Sequence, residues 1–271
     1  MPPRGRQSLL IGGIVNTILL GLLVIVAPAV LSGLCVLASR RFLHKEVREG
    51  HNDVLVPIFL TAGTIYAVML GFLVVVVWEA YGDAKENLTA EAATLTTMYR
   101  MTYAMAPPER KAMREHLRGY TEAVIHKEWT IQAKTGGAAV EARDQIANLY
   151  KAFLGLPHDE AVLPINYEFL AQFSLMASAR DKRRLQSSEE FPWLLWFGLI
   201  GGAAITISMS CMLYMDKGWP HIVMSGVLCV MIGMLLFITV VLSKPFKGPL
   251  ALQPEAFEHA NVVFDAVDAG H

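Results

Sequence analysis

The sequence is poor in charge and in cysteine. Charged residues make up 17% of its 271 residues and hydrophobic residues 54%, with a mean hydropathy of +0.42. A soluble domain carries about 25% charged and roughly 45–50% apolar residues, so this composition excludes an ordinary soluble protein and indicates a membrane protein. The formal net charge of -1 gives no reason to expect a nucleic-acid partner.

The three cysteines, Cys35, Cys211 and Cys229, each lie within an apolar run. Thiols in such surroundings are usually small buried hydrophobes rather than disulfides or metal ligands, and we expect that of all three. Enzyme motifs are also missing: there is no Gly-rich phosphate loop, no H-E-x-x-H, no cysteine pair at zinc spacing and no G-x-S-x-G. His116 and His126 are ten residues apart on a predicted helix, roughly 15 Å, which is too far for a shared metal. The sequence therefore predicts no enzyme, no metal and no cofactor.

Four apolar stretches are long enough to cross a bilayer, whose core of about 30 Å requires roughly 20 helical residues. None contains Lys, Arg, Asp or Glu; they are residues 9–38, 54–78, 191–215 and 219–243. Hydrocarbon offers the backbone no hydrogen-bond partner, so each stretch is predicted to be a helix. The first stretch is too long for a signal peptide, and we expect it to be a retained anchor.

Most acidic residues lie between the second and third spans, which indicates a water-exposed insert. Apolar residues recur there at helical spacing, without the alternation of a strand. The predicted core positions of this insert are Leu95, Met98, Tyr99, Met113, Leu117, Tyr120, Val124, Ile125, Ile146, Tyr150, Leu154, Phe169, Phe173 and Met176. The predicted fold is all-α, with four transmembrane helices and a helical cytosolic bundle inserted between the second and third spans. The predicted domains are 1–78 (first transmembrane pair), 79–190 (helical insert), 191–243 (second pair) and 244–271 (tail).

The second span has two distinct faces. No breaker follows Pro57 until residue 105, so this span is predicted to continue unbroken into the insert, with Trp78 at the membrane interface. At about 100° per residue, one face carries hydroxyls, then large hydrophobes, then carboxylates: Thr61, Thr64, Ile65, Val68, Phe72, Val75, Glu79, Asp83 and Glu86. Another face carries Gly63, Ala67 and Gly71, small residues that favour close helix packing.

Two interpretations of the first face remain open. Repeated around a ring, it would form a hydrophobic constriction followed by acidic rings that attract cations, which are features of channels. Alternatively, its apolar side chains face lipid or other spans, and its carboxylates begin a solvated helix.

Two charged segments are predicted to lie at the surface. The segment EHLRGYTEAVIHKEW (115–129) is predicted to expose Glu115, Arg118, Glu122, Lys127 and Glu128, with Trp129 in the core. The segment RDKRR (180–184) suits anionic lipid headgroups or a topology signal.

The distribution of basic residues predicts the orientation, since cytoplasmic segments carry more Lys and Arg. The link between spans one and two has Arg40, Arg41, Lys45 and Arg48. The opposite side has a larger set: Arg4, Arg6, Lys85, Arg180, Lys182, Arg183, Arg184, Lys244 and Lys247. We therefore expect a multi-pass protein of the inner (plasma) membrane with both termini and the insert in the cytoplasm.

Four phrases resemble the bacterial bestrophin-like family, first catalogued as a domain of unknown function. They are GTIYAVMLGFLVVVVWEAY (63–81), EAATLTTMYR (91–100), YTEAVIHKEW (120–129) and SKPFKGPLALQPEAF (243–257). The resemblance implies four spans and a helical cytosolic part. The more distant similarity to true bestrophins implies a homo-oligomeric ring, a pentamer among the candidates, with an ion path along the second span. In that family bulky apolar residues line the neck, a part that Ile65, Val68 and Phe72 could play here.

The leading hypothesis is an oligomeric ion channel whose second span lines the axis, with membrane lipids and inorganic ions as partners. The alternative is a non-conducting membrane scaffold or sensor that acts through its helical bundle. A stator-like proton channel subunit has a similar layout, but Thr206, Ser208 and Ser210 alone are a thin basis for it.

Overall fold

The computed structural model of the chain describes residues 4–42, 45–156, 163–189, 191–248 and 250–270. In the first two helices, side chains are described for residue 19, for 21–41 and from 52 onward. The side chains of Arg4, Arg6, Lys45 and Arg48, which contribute to the predicted orientation, therefore lie outside the described part.

Every regular element in the described ranges is helical, as the all-α class predicts. The α-helices are α1 (Arg4–Phe42), α2 (Lys45–Met101), α3 (Pro107–Ala123), α4 (Trp129–Thr135), α5 (Val140–Leu154), α6 (Leu163–Ser188), α7 (Trp193–Met212), α8 (Gly218–Leu242) and α9 (Glu255–Asp268). A 3-10 turn (Thr102–Ala104) follows α2, and a π-helix (Val124–Glu128) joins α3 to α4. The continuity predicted for the second span is confirmed, and α2 even begins before Pro57.

Among the described residues, four helices are long and apolar enough to cross a membrane, which agrees with the number predicted from sequence. The qualifying segments are Gly21–Arg41, Asn52–Ala104, Trp193–Met212 and Gly218–Leu242. Helix α7, with 20 residues, is about 30 Å long and so matches the bilayer core.

The chain divides into two compact units: a first unit of Met1–Ala80 and Glu190–Ser243, and a second unit of Tyr81–Glu189 and Lys244–His271. In the first unit α1 packs on α8 and α7. Gly233 allows a close approach of backbones, because a Cβ there would lie 2.8 Å from the carbonyl oxygen of Val24. Gly202 is needed for a different reason, since a Cβ at this position would lie 2.4 Å from the ring of Tyr66.

A polar layer closes one end of the first unit. Arg40 Nη2 donates to the carbonyl oxygens of Met215 and Asp216, at 2.6 and 3.0 Å. Asn52 exchanges two hydrogen bonds of 2.9 Å with the backbone of Tyr214. These bonds give partners to backbone groups of residues 214–216, which lie in the loop between α7 and α8.

The second unit has an apolar core, and the tail helix α9 packs into it. Phe257 and Phe264 of α9 are fully buried, and the ring of Phe264 stacks on Tyr99 with centroids 4.1 Å apart. Gly136, with φ of 74°, ends α4, and the carbonyl oxygen of Ser187 lies where its Cβ would be. A side chain there would therefore be strained in two ways.

Most of the predicted core positions of this unit are buried or packed against the core, Ile146 of α5 among them, but two on α5 were wrong. Leu149 is fully buried, whereas Tyr150 and Leu154 are 43% and 55% exposed. Helix α5 packs on α3 through Ala142 and Leu149, which are seven residues apart and share one face. The prediction that every cysteine is buried was also wrong, because Cys35 is exposed while Cys211 and Cys229 are buried.

Candidate functional site

The predicted channel face of α2 is uncovered within the first unit. Its large apolar side chains are more than half exposed: Ile65 66%, Val68 53%, Phe72 70% and Val75 52%. We call these four residues the apolar stripe. Thr61 and Thr64, also exposed, donate their hydroxyls to carbonyl oxygens one turn back, at 2.9 and 2.7 Å, and Glu79 is exposed.

A different face of α2 packs against the rest of the first unit. Tyr66, Leu70 and Leu73 are buried in one cluster with Leu199 of α7 and Ile232 of α8. Because packing within the chain uses this face, the apolar stripe has no covering in the described part of the unit.

The small-residue face of α2 likewise has no close neighbour in the described chain. A Cβ built on Gly63 or on Gly71 would meet no atom within 4 Å, and Ala67 is exposed. The packing role of these three residues stays a prediction.

Asp83 lies in the second unit, beside a polar groove of about 470 Å³. The lining residues are Asp83, Glu86, Asn87, Lys182, Leu185, Gln186 and Glu189. Asn87 Nδ2 donates to Gln186 Oε1 at 3.2 Å, which joins α2 to α6 across the groove. Within the described ranges, no group of three or more His, Cys, Asp or Glu residues is arranged to hold a metal ion.

A buried ion-pair network lies in the core of the second unit. The guanidinium of Arg183 donates to both carboxylate oxygens of Glu91, at 2.7 and 3.0 Å, and to Glu128 Oε1 at 2.8 Å. Its Nη1 donates to Gln132 Oε1 at 2.7 Å. Arg180 Nη2 donates to the other oxygen of Glu128 at 2.8 Å. Two positive and two negative charges are therefore paired out of contact with water, and the network joins α2, α4, α6 and the π-helix.

The network perturbs the titration of its members. Burial raises the pKa of Glu128, but the charges and hydrogen bonds of Arg183 and Arg180 outweigh burial and lower the pKa overall. Burial, and next the charge of Glu91, raise the pKa of Tyr120 well above its ordinary value; its hydroxyl donates to that carboxylate. The carboxylate of Glu128 is thus held ionised at neutral pH.

Sequence reasoning misplaced three residues of this network. Arg180 and Arg183 were assigned to lipid headgroups or topology and Glu128 to the outer face, yet all three are buried. A signal was present: the buried stripe of α6 runs at spacings of four and three through Phe169, Phe173, Met176, Arg180, Arg183 and Ser187. The π-helix explains why Glu128 was misplaced, because the wider turn of a π-helix shifts the helical register of its side chains.

The tail helix α9 is held by a second, more exposed set of charges. Asp268 accepts hydrogen bonds from Tyr99 at 2.7 Å, Arg118 at 2.7 Å and Arg114 at 2.6 Å. Arg118 also pairs with Asp265 at 2.8 Å. Burial, with the Asp268 hydrogen bond next, raises the pKa of Tyr99 to about 12.

These features define an all-α membrane protein with four candidate spanning helices and a second, helical unit. The sequence model of the Bestrophin-like domain matches residues 25–257. The chain belongs to that family, and the resemblance predicted from sequence is confirmed. A comparison with curated proteins found no match.

Solved structures show the same fold. The chain is similar to three crystal structures of a bacterial bestrophin homolog from Klebsiella pneumoniae, each with a point mutation. They are 11%, 12% and 14% identical to it, with TM-scores of 0.68, 0.68 and 0.66. The alignments cover 89%, 89% and 91% of this chain and 96%, 98% and 99% of the other.

Proposed function

We propose that the chain is one subunit of an oligomeric ion channel whose α2 helices surround the conduction axis. The observation that carries this proposal is the apolar stripe, which the described part of the chain's own first unit leaves uncovered. Membership of the Bestrophin-like family and structural similarity to a bacterial bestrophin homolog support it.

In such a ring the apolar stripe forms the constriction. Phe72 is the largest and most exposed of its side chains, so it contributes most to closing the path. Apolar constrictions can gate by excluding water, and the carboxylates of Glu79 and Asp83 would attract cations to one mouth. Inorganic cations are therefore the proposed substrate.

Subunit packing is proposed for the small-residue face. Gly63, Ala67 and Gly71 would let a neighbouring helix approach closely, which favours association where lipid is as apolar as leucine. We propose a ring of identical subunits, with five as the number to test first. Membrane lipids would cover the outward surfaces of α1, α7 and α8.

We propose that the second unit, as an insert between spans two and three joined by the tail, lies in the cytoplasm of a bacterial cell. The charges of Arg180 and Arg183 are paired within the ion-pair network. Without them, the basic residues of the proposed cytoplasmic side still outnumber those of the opposite link.

The test is reconstitution of the purified chain in a planar bilayer, with single-channel current and reversal potential measured in a salt gradient. We expect a cation-selective current that Phe72→Ala increases by removing the largest ring of the constriction. Phe197→Ala on α7 is the matched control, because Phe197 is equally exposed at 70% but lies on another helix. It should leave the current unchanged.

Two results would contradict the proposed channel. The absence of current at any voltage, pH or calcium concentration, beside a conducting bestrophin, would reject the channel and favour a membrane scaffold or sensor. An equal change of current in Phe72→Ala and Phe197→Ala would show that the apolar stripe does not line the conduction path.

A further inference from the structure

Two of the three cysteines meet at one end of the first unit. Cys211 Sγ donates to the carbonyl oxygen of Ser32 at 3.6 Å, and the hydroxyl of Ser39 donates to the carbonyl oxygen of Cys211 at 3.1 Å. Ser32, Cys35 and Ser39 are spaced by three and four residues, so they lie on one face of α1. Cys35 therefore lies on α1 between the two residues that contact Cys211, on the face turned towards it.

The pair lies at the edge of the apolar region. Helix α7 has 20 residues, about the thickness of the bilayer core, and Cys211 is its penultimate residue. Ser39 and the guanidinium of Arg40 begin the polar layer directly beyond it. A thiol at this depth can reach an aqueous proton acceptor, whereas one at the centre of the bilayer cannot. Thiol–disulfide exchange proceeds through a thiolate, so the reaction requires such an acceptor.

The two thiols differ in access. Cys35 is exposed and lines an apolar cavity of about 440 Å³ between α1, α7 and α8, with Leu31, Ile200 and Ile207 among its other lining residues. Cys211 is fully buried. An exposed thiol that attacks, next to a buried thiol that resolves, is the arrangement that thiol–disulfide exchange requires.

We propose that Cys35 and Cys211 form a redox-active thiol pair that reacts with apolar, membrane-permeant organic disulfides entering through this cavity. The Cys35 thiolate attacks the reagent and expels one thiolate, which leaves a mixed disulfide on Cys35. The Cys211 thiolate then attacks the Cys35 sulfur and expels the second thiolate. The two thiol protons end on the two leaving groups. The chain is oxidised by two electrons, the reagent is reduced to two thiols, and α1 becomes covalently joined to α7.

The experiment uses the full-length Cys229→Ala chain in detergent, with 4,4′-dithiodipyridine as the probe. We expect two equivalents of 4-thiopyridone per chain, a protein mass lower by two hydrogens and no retained pyridyl group. Peptide mapping without reduction should then show the Cys35 peptide linked to the Cys211 peptide, and dithiothreitol should release both.

The matched control is Cys211→Ala in the same background, which should release one equivalent and keep the pyridyl group on Cys35. A Cys229→Ala chain that stops at this mixed disulfide, or that releases no thiopyridone, would overturn the proposal. Gel filtration and circular dichroism check that each variant is folded. The unmutated chain should give the same Cys35–Cys211 peptide link, and a link to Cys229 instead would also overturn the proposal.

Discussion

Removal of the Arg183 guanidinium should be the most damaging single change in the second unit. In Arg183→Met the flexible apolar side chain keeps most of the volume. Glu91, however, loses the two hydrogen bonds that the guanidinium donates and keeps the one from the hydroxyl of Tyr120. Glu128 retains Arg180. One carboxylate is thus left buried without an opposite charge. Breaking a buried pair in this way costs about 3–5 kcal/mol.

This loss can be measured within the unit by hydrogen–deuterium exchange of the full-length protein. The cost corresponds to an increase of roughly two to three and a half orders of magnitude in the opening equilibrium of the amides around the network. We expect the increase in α6 and α4, and no change in α7 or α8. A local readout is appropriate because a chain with two units does not unfold in two states.

The matched control is Arg184→Met, the next residue along α6. Arg184 is 44% exposed and lies 3.8 Å from Asp181, and an exposed pair of this kind contributes about 0–1 kcal/mol. Adding Glu91→Gln to Arg183→Met should recover part of the loss, because the uncompensated charge is removed. Equal exchange in Arg183→Met and Arg184→Met would refute the reasoning.

Three further predictions concern acid stability, the tail helix and the packing of α2. Because the pKa of Glu128 is lowered in the folded state, ionised Glu128 stabilises the fold at any pH above its unfolded pKa. This stabilisation is lost as the pH falls through the folded-state pKa, so Glu128→Gln should flatten the acid dependence of thermal stability. Asp268→Asn should lower the pKa of Tyr99 from about 12 and cost roughly 1–2 kcal/mol of α9 protection, measured by ultraviolet titration and exchange. Gly202→Ala should cost roughly 1–3 kcal/mol of detergent thermal stability, because the ring of Tyr66 occupies the position of the new methyl group.

Two of these predictions have a neighbouring control. Asp265→Asn should have a smaller effect than Asp268→Asn, since Asp265 is 72% exposed and pairs with Arg118 alone. Gly201→Ala should be neutral or stabilising, because a Cβ there meets open space. Equal effects within either pair, or an acid profile that Glu128→Gln leaves unchanged, would contradict the corresponding assignment.

Much of the fold could be predicted from the residue pattern. Four long uncharged stretches predicted four spanning helices, since hydrocarbon tolerates no unpaired backbone groups. The buried faces of α3 and α6 followed from regular apolar spacing, as Leu117 and Phe169 illustrate. The face of α5 did not follow, because Leu149, Tyr150 and Leu154 offer several apolar stripes and only the position of α3 selects one.

Part of the candidate site could also be predicted from the sequence, and part could not. The apolar stripe and the small-residue face of α2 could be listed from periodicity, because both are properties of one helix. The ion-pair network could not, because Glu91, Glu128 and Arg183 come from separate segments up to 92 residues apart in sequence. The placement of Cys35 beside Cys211 depends in the same way on how α1 and α7 pack.

The sequence by itself determined the helical class, the number of spans and the continuity of α2, because these depend on the local cost of burying a backbone and on helical periodicity. Only the tertiary structure decided which charged side chains enter the core and which face of each helix is covered. A charge can be buried only when an opposite charge from elsewhere meets it, and that requires the packing of distant segments.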